Sequence, residues 1–196
     1  MQSNSIMKAV LAVVLCVSMA ATGCTAQWIS VALADLPVLT QMALNIATLV
    51  ATLESGKQLS PAQSTAIQNI SAEASKDLTL LQTLYNQYKS NPNAGTIQKI
   101  QGVIAQLNHN LPALLAAAHI SDATLATRVT AGVNLILTTV RSFALLIPAA
   151  STSRRAAAQT VTVPKASDLK KQWNQQVCAP TGAAALDSAL AVCALK

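Results

Sequence analysis

Apolar residues recur at every third or fourth position through most of this chain, and this spacing constrains its fold more than any other feature. The clearest stripe runs from Ile67 to Tyr88, with polar side chains between its members. Such a period is typical of an α-helix that buries one face against neighbouring helices. Ser60 and Pro61 precede the stripe, and they suit the cap and the first turn of a helix. The sequence therefore predicts a long amphipathic helix that ends at the turn around Pro92.

A helix is also predicted before this one, over residues 28–53, where apolar side chains cover nearly the whole circumference. Such a helix is expected in the centre of a bundle or against lipid. Its length would suit a membrane span, but its polar residues and its proline argue against one. Pro37 either kinks this helix or marks its true start.

A third helix is predicted over residues 94–118, where apolar positions keep the strict three-four alternation of helix-on-helix packing. Pro112 interrupts the pattern, because proline lacks the backbone N–H and crowds the preceding turn. We expect a kink or a short break near residues 108–111, with Asn110 capping the resumed helix.

A fourth helix is predicted from Ser121 or Asp122, either of which can cap it, to about Ile147. The sequence is 52% hydrophobic but only 3% aromatic, a mixture that favours helices over strands. Four long helices with short connections fit an antiparallel up-and-down bundle.

The C-terminal part has a different composition. Residues 149–166 have the composition of a linker. Ser167 is predicted to cap a short amphipathic helix whose Trp173 anchors it on the bundle, and one more short helix follows. The predicted fold is all-α, with a bundle of about four long helices over residues 24–148 and a C-terminal helical hairpin over residues 167–196.

The first 23 residues have the layout of a secretory signal peptide. Lys8 is their only charge, and the uncharged run that follows it is shorter than the roughly 20 apolar residues of a membrane span. The stretch "ATGC", ending at Cys24, resembles the lipobox of bacterial lipoproteins. Ala21 departs from the leucine that is usual in that family. The alternative is an ordinary signal-peptide cut after Ala20.

The resemblance to bacterial lipoproteins implies a membrane anchor. In that family the cysteine sulfur is diacylated, with palmitate as the expected acyl chain. The chain is then cut just before the cysteine. For this sequence the modified residue is Cys24, and its acyl chains make the membrane a partner. Thr25 stands where an aspartate commonly retains lipoproteins in the inner membrane. The resemblance therefore implies the periplasmic face of the outer membrane of a Gram-negative bacterium.

Four cysteines occur in the sequence. Cys16 leaves with the signal peptide and Cys24 carries the lipid, so Cys178 and Cys193 remain as a pair. Because an exported protein matures under oxidising conditions, this pair is predicted to form a disulfide. Two cysteines without a nearby histidine make a poor zinc site, and the C-x-x-C spacing of a redox-active pair is absent from the sequence.

Several function classes are disfavoured by the sequence. Its formal net charge is +6, but the basic residues are thinly spread and lack aromatic neighbours, so no nucleic-acid partner is predicted. A mild attraction to anionic lipid headgroups or envelope glycans competes with an ordinary solvated surface. His109 and His119 stand ten residues apart with no adjacent carboxylate, so no metal site or cofactor is predicted. The sequence has no phosphate-binding loop or hydrolase motif, and we expect no enzyme.

Two functions remain open. The first is a structural or protein-interaction role for a lipid-anchored helical bundle of the cell envelope, with an envelope protein or an anionic glycan as a possible partner. The alternative is an envelope binding module that holds a lipid or another hydrophobic ligand between its helices. Abundant alanine and leucine favour close helix packing, and hence the first.

Overall fold

Six helices make up the part of the chain that the computed structural model describes, residues 29–50, 59–147, 163–182 and 184–196. No strand occurs within those residues. The four long helices pack against one another in antiparallel order, so the predicted all-α bundle is confirmed. The helices are α1 (Ile29–Val50), α2 (Pro61–Ser90), α3 (Ala94–Ala117), α4 (Ala123–Leu146), α5 (Ala166–Gln176) and α6 (Ala184–Val192).

The start of α2 follows the sequence prediction closely. Pro61 is the first helical residue, and the hydroxyl of Ser60 accepts a hydrogen bond from the backbone N–H of Gln63. The Gln63 side chain accepts one from the Ser60 N–H in return, which completes a capping box. The Gln63 amide nitrogen also donates to the His119 carbonyl and the Ser121 hydroxyl. These bonds fix the start of α2 against the α3–α4 turn.

Helix α1 forms one wall of the bundle, so the central position expected for it is wrong. About half of the helix is buried, and its exposed positions hold two large apolar side chains, Val31 and Leu44, among small and polar ones. The helix is already formed at Ile29 and continues through Pro37, which is exposed. The alternative that Pro37 marks its start is therefore also wrong. The hydroxyl of Ser71 on α2 donates to the Ala43 carbonyl at 2.7 Å and joins the two helices near their middles.

Helix α3 is continuous through Pro112, so the predicted short break is wrong. Pro112 lies on the exposed side of the helix, where the Asn108 carbonyl that loses its partner can face water. Asn110 does not cap a resumed helix, because its side-chain amide donates to the Glu73 carboxylate at 3.0 Å. The helix begins after Asn93, whose side chain caps it.

Helix α5 packs on α4 through Trp173, which has no exposed surface, so the predicted anchoring role of this residue is confirmed. The indole lies directly over Gly132 of α4. A Cβ atom at that position would come within 2.9 Å of the ring carbon Cζ3. The close approach of α4 and α5 therefore requires a residue without a side chain.

Gly132→Ala is expected to destabilise the protein, whereas the same change at another helical glycine stabilises it. Overpacking costs about 1–3 kcal/mol, and the better helix propensity of alanine offsets at most about 1 kcal/mol of this. Gly102 lies on the exposed side of α3, where an added Cβ atom would meet no other atom within 4 Å, so Gly102→Ala gains up to about 1 kcal/mol. Urea denaturation of both variants measures the difference, and equal shifts of the same sign would contradict the packing described.

Helix α5 begins after Lys165, so the prediction that Ser167 caps this helix is wrong. Lys165 supplies no side-chain hydrogen bond to the helix. Instead the backbone of Ala166, at the start of α5, lies beside the carboxylate of Asp35 on α1 and favours its charged form. Asp35 is almost fully buried, and its Oδ2 has no hydrogen-bond partner. The first turn of α5 therefore lies beside the first turns of α1.

Burial gives Asp35 an effect on the pH dependence of stability. Burial raises the pKa of Asp35 from its ordinary value of 3.8 to about 6, against the smaller opposing effect of the Ala166 backbone. Between these two values the folded state holds a proton that the unfolded chain has released. The stability contributed by this group is therefore fully present below 3.8 and is lost as the pH rises through about 6.

Asp35→Asn keeps an acceptor oxygen and removes this titration. The free energy of unfolding of the parent protein differs between about pH 4 and about pH 7. In Asp35→Asn we expect this difference to be smaller by about 1–2 kcal/mol, a value discounted for solvent screening. Burial also raises the pKa of Asp77, so part of the difference remains. Urea denaturation at both pH values tests this. Asp168→Asn, at an exposed carboxylate in the first turn of α5, is the control. An unchanged difference in Asp35→Asn would contradict the argument.

Candidate functional site

The two C-terminal cysteines lie next to each other, as the sequence predicts. Cys178 follows α5 and Cys193 follows α6, and their sulfur atoms are 3.1 Å apart. Both are buried, and both are thiols in this structure. The disulfide between them stays a prediction.

Side chains from two helices hold Cys193 in place. Its backbone carbonyl accepts hydrogen bonds from the Trp173 indole N–H at 2.9 Å and from the Asn45 amide at 2.7 Å. Asn45 belongs to α1, and the atoms of this bond are buried. The carbonyl therefore joins the C-terminal hairpin to the first helix. Sequence spacing gives no sign of this contact, because 148 residues separate its partners.

Arg128 of α4 places a positive charge beside the cysteine pair. Its side chain is mostly buried, and its Nη1 donates to the Val177 carbonyl at 2.6 Å. The hydrogen bond between the two thiols raises the pKa of Cys178, and burial raises it further. The Cys193 thiol also lies 3.2 Å from the Leu190 carbonyl and can donate to it. A thiolate is the form that reacts in disulfide formation, and the Arg128 charge favours a thiolate at either cysteine.

A carboxylate organises the turn between α5 and α6. Asp187 accepts hydrogen bonds from the backbone N–H and hydroxyl of Thr181 and from the N–H of Gly182. These hydrogen bonds lower the pKa of Asp187. Gly182 has a φ of 86°, a conformation that glycine adopts without strain. The turn that brings the cysteines together is thus built from local contacts.

An open groove of about 490 Å³ lies between α2 and α3. Three of its polar groups contact one another, because Glu73 accepts from Asn110 at 3.0 Å and pairs with Lys76 at 3.4 Å. Neighbouring alanine and leucine side chains form the apolar part. The groove is lined by Asn69, Ala72, Glu73, Lys76, His109, Asn110, Ala113 and Leu114.

The other predicted site residues are not brought together. His109 is exposed in the α2–α3 groove, and His119 is exposed in the α3–α4 turn, where its φ is 43°. Among the residues with a described position, no group of three histidine, cysteine or acidic side chains could hold a metal ion. Cys24 and the predicted signal peptide lie outside the described residues.

Two helices, α1 and α4, are long and apolar enough to cross a membrane by length and composition alone. About half of each helix is buried inside the bundle. Core helices of soluble proteins meet the same criterion, so the finding is only weak support for a membrane association.

No family model, no curated protein and no solved structure matches this chain.

Proposed function

We propose that this protein is a lipid-anchored helical bundle of the cell envelope, with a structural or protein-interaction role and no catalytic activity. The supporting observation is the distance between the proposed anchor and the bundle. Helix α1 is already formed at Ile29, five residues after Cys24. Five residues span at most about 18 Å even when fully extended. An acylated Cys24 would therefore hold the bundle directly beside the membrane surface.

The proposed anchor consists of acyl chains on Cys24 after removal of residues 1–23. Each buried methylene of an acyl chain contributes about 0.8 kcal/mol, so two or three chains give a stable attachment. The lipobox resemblance supports this proposal, and Thr25 supports a final position on the periplasmic face of the outer membrane. The bundle then faces the periplasm and its proteins.

We further propose that Cys178 and Cys193 are joined by a disulfide in the exported protein. The short distance between their buried sulfur atoms supports this bond. Its role is structural, because it would close the α5–α6 hairpin whose Cys193 carbonyl is bonded to α1.

Site-specific photo-crosslinking in cells tests the interaction role. A photoreactive residue replaces Ala113 in the α2–α3 groove or Thr138 on the exposed side of α4, two positions on different surfaces. We expect one defined envelope protein to be captured from one surface and not from the other. The purified protein is also extracted for lipids and analysed by mass spectrometry. No crosslink at either position, together with a stoichiometric hydrophobic ligand, would contradict the proposal and support the binding module.

A further inference from the structure

Two exposed lysines lie at one end of the bundle. The antiparallel order places the starts of α1 and α3 and the ends of α2 and α4 at this end. The position of Ala166 beside Asp35 adds the start of α5. We call this end the anchor-proximal face, because it carries the first described residue after Cys24. Its exposed cations include Lys89, in the last turn of α2, and Lys99, in the second turn of α3. Arg141 is not part of this face, because its Nε donates to Asn108 Oδ1 at 2.6 Å, 14 residues along α3.

Few carboxylates offset the positive charge at this end. Among the described residues of the helix ends named above, Asp168 is the one exposed carboxylate, and Asp35 is buried. The opposite end carries Asp122 at the start of α4 and Asp187 in α6. The bundle therefore has a positive end and a more acidic end.

The α2–α3 turn at the positive end projects toward the proposed anchor. The bond between Ser71 and Ala43 sets α1 and α2 level with each other at that point. From there α2 runs 19 residues to Ser90, about 28 Å, whereas α1 runs 14 residues back to Ile29, about 21 Å. The turn, with Lys89 and Lys99 on its two sides, therefore extends roughly 7 Å beyond the described start of α1.

We propose that the anchor-proximal face docks on anionic phospholipid headgroups. The inference rests on the proposed anchor, which brings this face to the membrane surface. Phosphate headgroups complement Lys89 and Lys99, which flank the part of the face that extends farthest. Each lysine near an anionic bilayer strengthens binding roughly five-fold, and the effect falls off within a Debye length. The bundle would thus be held upright against the membrane.

Vesicle co-sedimentation tests the proposal without the anchor. The protein is residues 24–196 carrying Cys24→Ser, so the outcome does not depend on acylation. Vesicles contain phosphatidylglycerol and phosphatidylethanolamine, or phosphatidylcholine alone. Two double variants with equal loss of charge are compared. Lys89→Gln with Lys99→Gln alters the face, whereas Lys76→Gln with Lys171→Gln removes two exposed lysines from the flank of the bundle.

We expect binding to the anionic vesicles only, weakened roughly 30-fold by the Lys89 and Lys99 changes, since each lysine contributes roughly five-fold. The flank variant is expected to bind nearly as well as the parent protein, and raised salt to weaken both. Equal weakening by the two double variants would show attraction by net charge alone and would overturn the proposal. Absence of binding to anionic vesicles, or binding only to a soluble anionic glycan, would overturn it as well. Failure of the Cys24 anchor is detected separately by mass measurement.

Discussion

Replacing Trp173 with alanine is expected to lower the free energy of unfolding by about 3–5 kcal/mol, the usual cost of truncating a fully buried aromatic side chain. The indole has no exposed surface, lies over Gly132 and donates to the Cys193 carbonyl. Alanine leaves a cavity between α4 and α5 and removes one of the two donors to that carbonyl. Chemical denaturation followed by circular dichroism measures the loss.

Two further variants separate packing from hydrogen bonding. Trp173→Phe keeps a ring in the pocket and loses the indole N–H, so a smaller cost of about 1–3 kcal/mol is expected. Gln175→Ala, at an exposed position of the same helix, is expected to change stability by less than about 0.5 kcal/mol. If Trp173→Ala cost no more than Gln175→Ala, the hairpin would not be packed on the bundle as described.

Breaking the proposed Cys178–Cys193 disulfide is expected to cost about 3 kcal/mol, the value of the chain-entropy argument for a loop of about 15 residues. The bond would restrict the unfolded chain and would keep the Cys193 carbonyl in reach of its donors on α1 and α5. Thermal unfolding with and without a reducing agent measures the effect.

The double variant Cys178→Ala with Cys193→Ala is the control, because its melting temperature should not respond to the reducing agent. Alkylation of the unreduced, denatured protein gives an independent count of free thiols. Two alkylated thiols in protein exported by a bacterial host would contradict the disulfide.

Local features of the fold were predictable from the sequence, because they depend on neighbouring residues. The start of α2 at Ser60 and Pro61 and the start of α4 at Asp122 are examples. In both cases the side-chain oxygen of a short polar residue accepts a hydrogen bond from the backbone N–H three residues later. The apolar stripe of α2 likewise identified its buried face.

Features that depend on distant residues were not predictable. The start of α5 lies beside Asp35, 131 residues away in the sequence, and the local capping rule selected Ser167 wrongly. Buried Arg128 and Asn45 bind carbonyls of the C-terminal hairpin, and no spacing pattern marks either residue. Pro112 was predicted to kink α3 or to break it briefly, because the sequence pattern does not show that this residue faces water.

The same limit applies to the candidate site. The cysteine pair was predictable by elimination among four cysteines, but the polar contacts around it required the fold. The anchor at Cys24 is predicted from residues 1–25 alone, and the described residues add only the short distance from Cys24 to α1.

The intact mass of the membrane-extracted protein from a bacterial host, measured beside a Cys24→Ser variant, tests the proposed anchor most directly. We expect a chain that begins at Cys24 and carries added acyl mass, with no such mass in the variant. An unmodified chain cut near Ala20 would contradict it. The protein would then be exported without a lipid anchor, and Cys24 would remain as a third thiol.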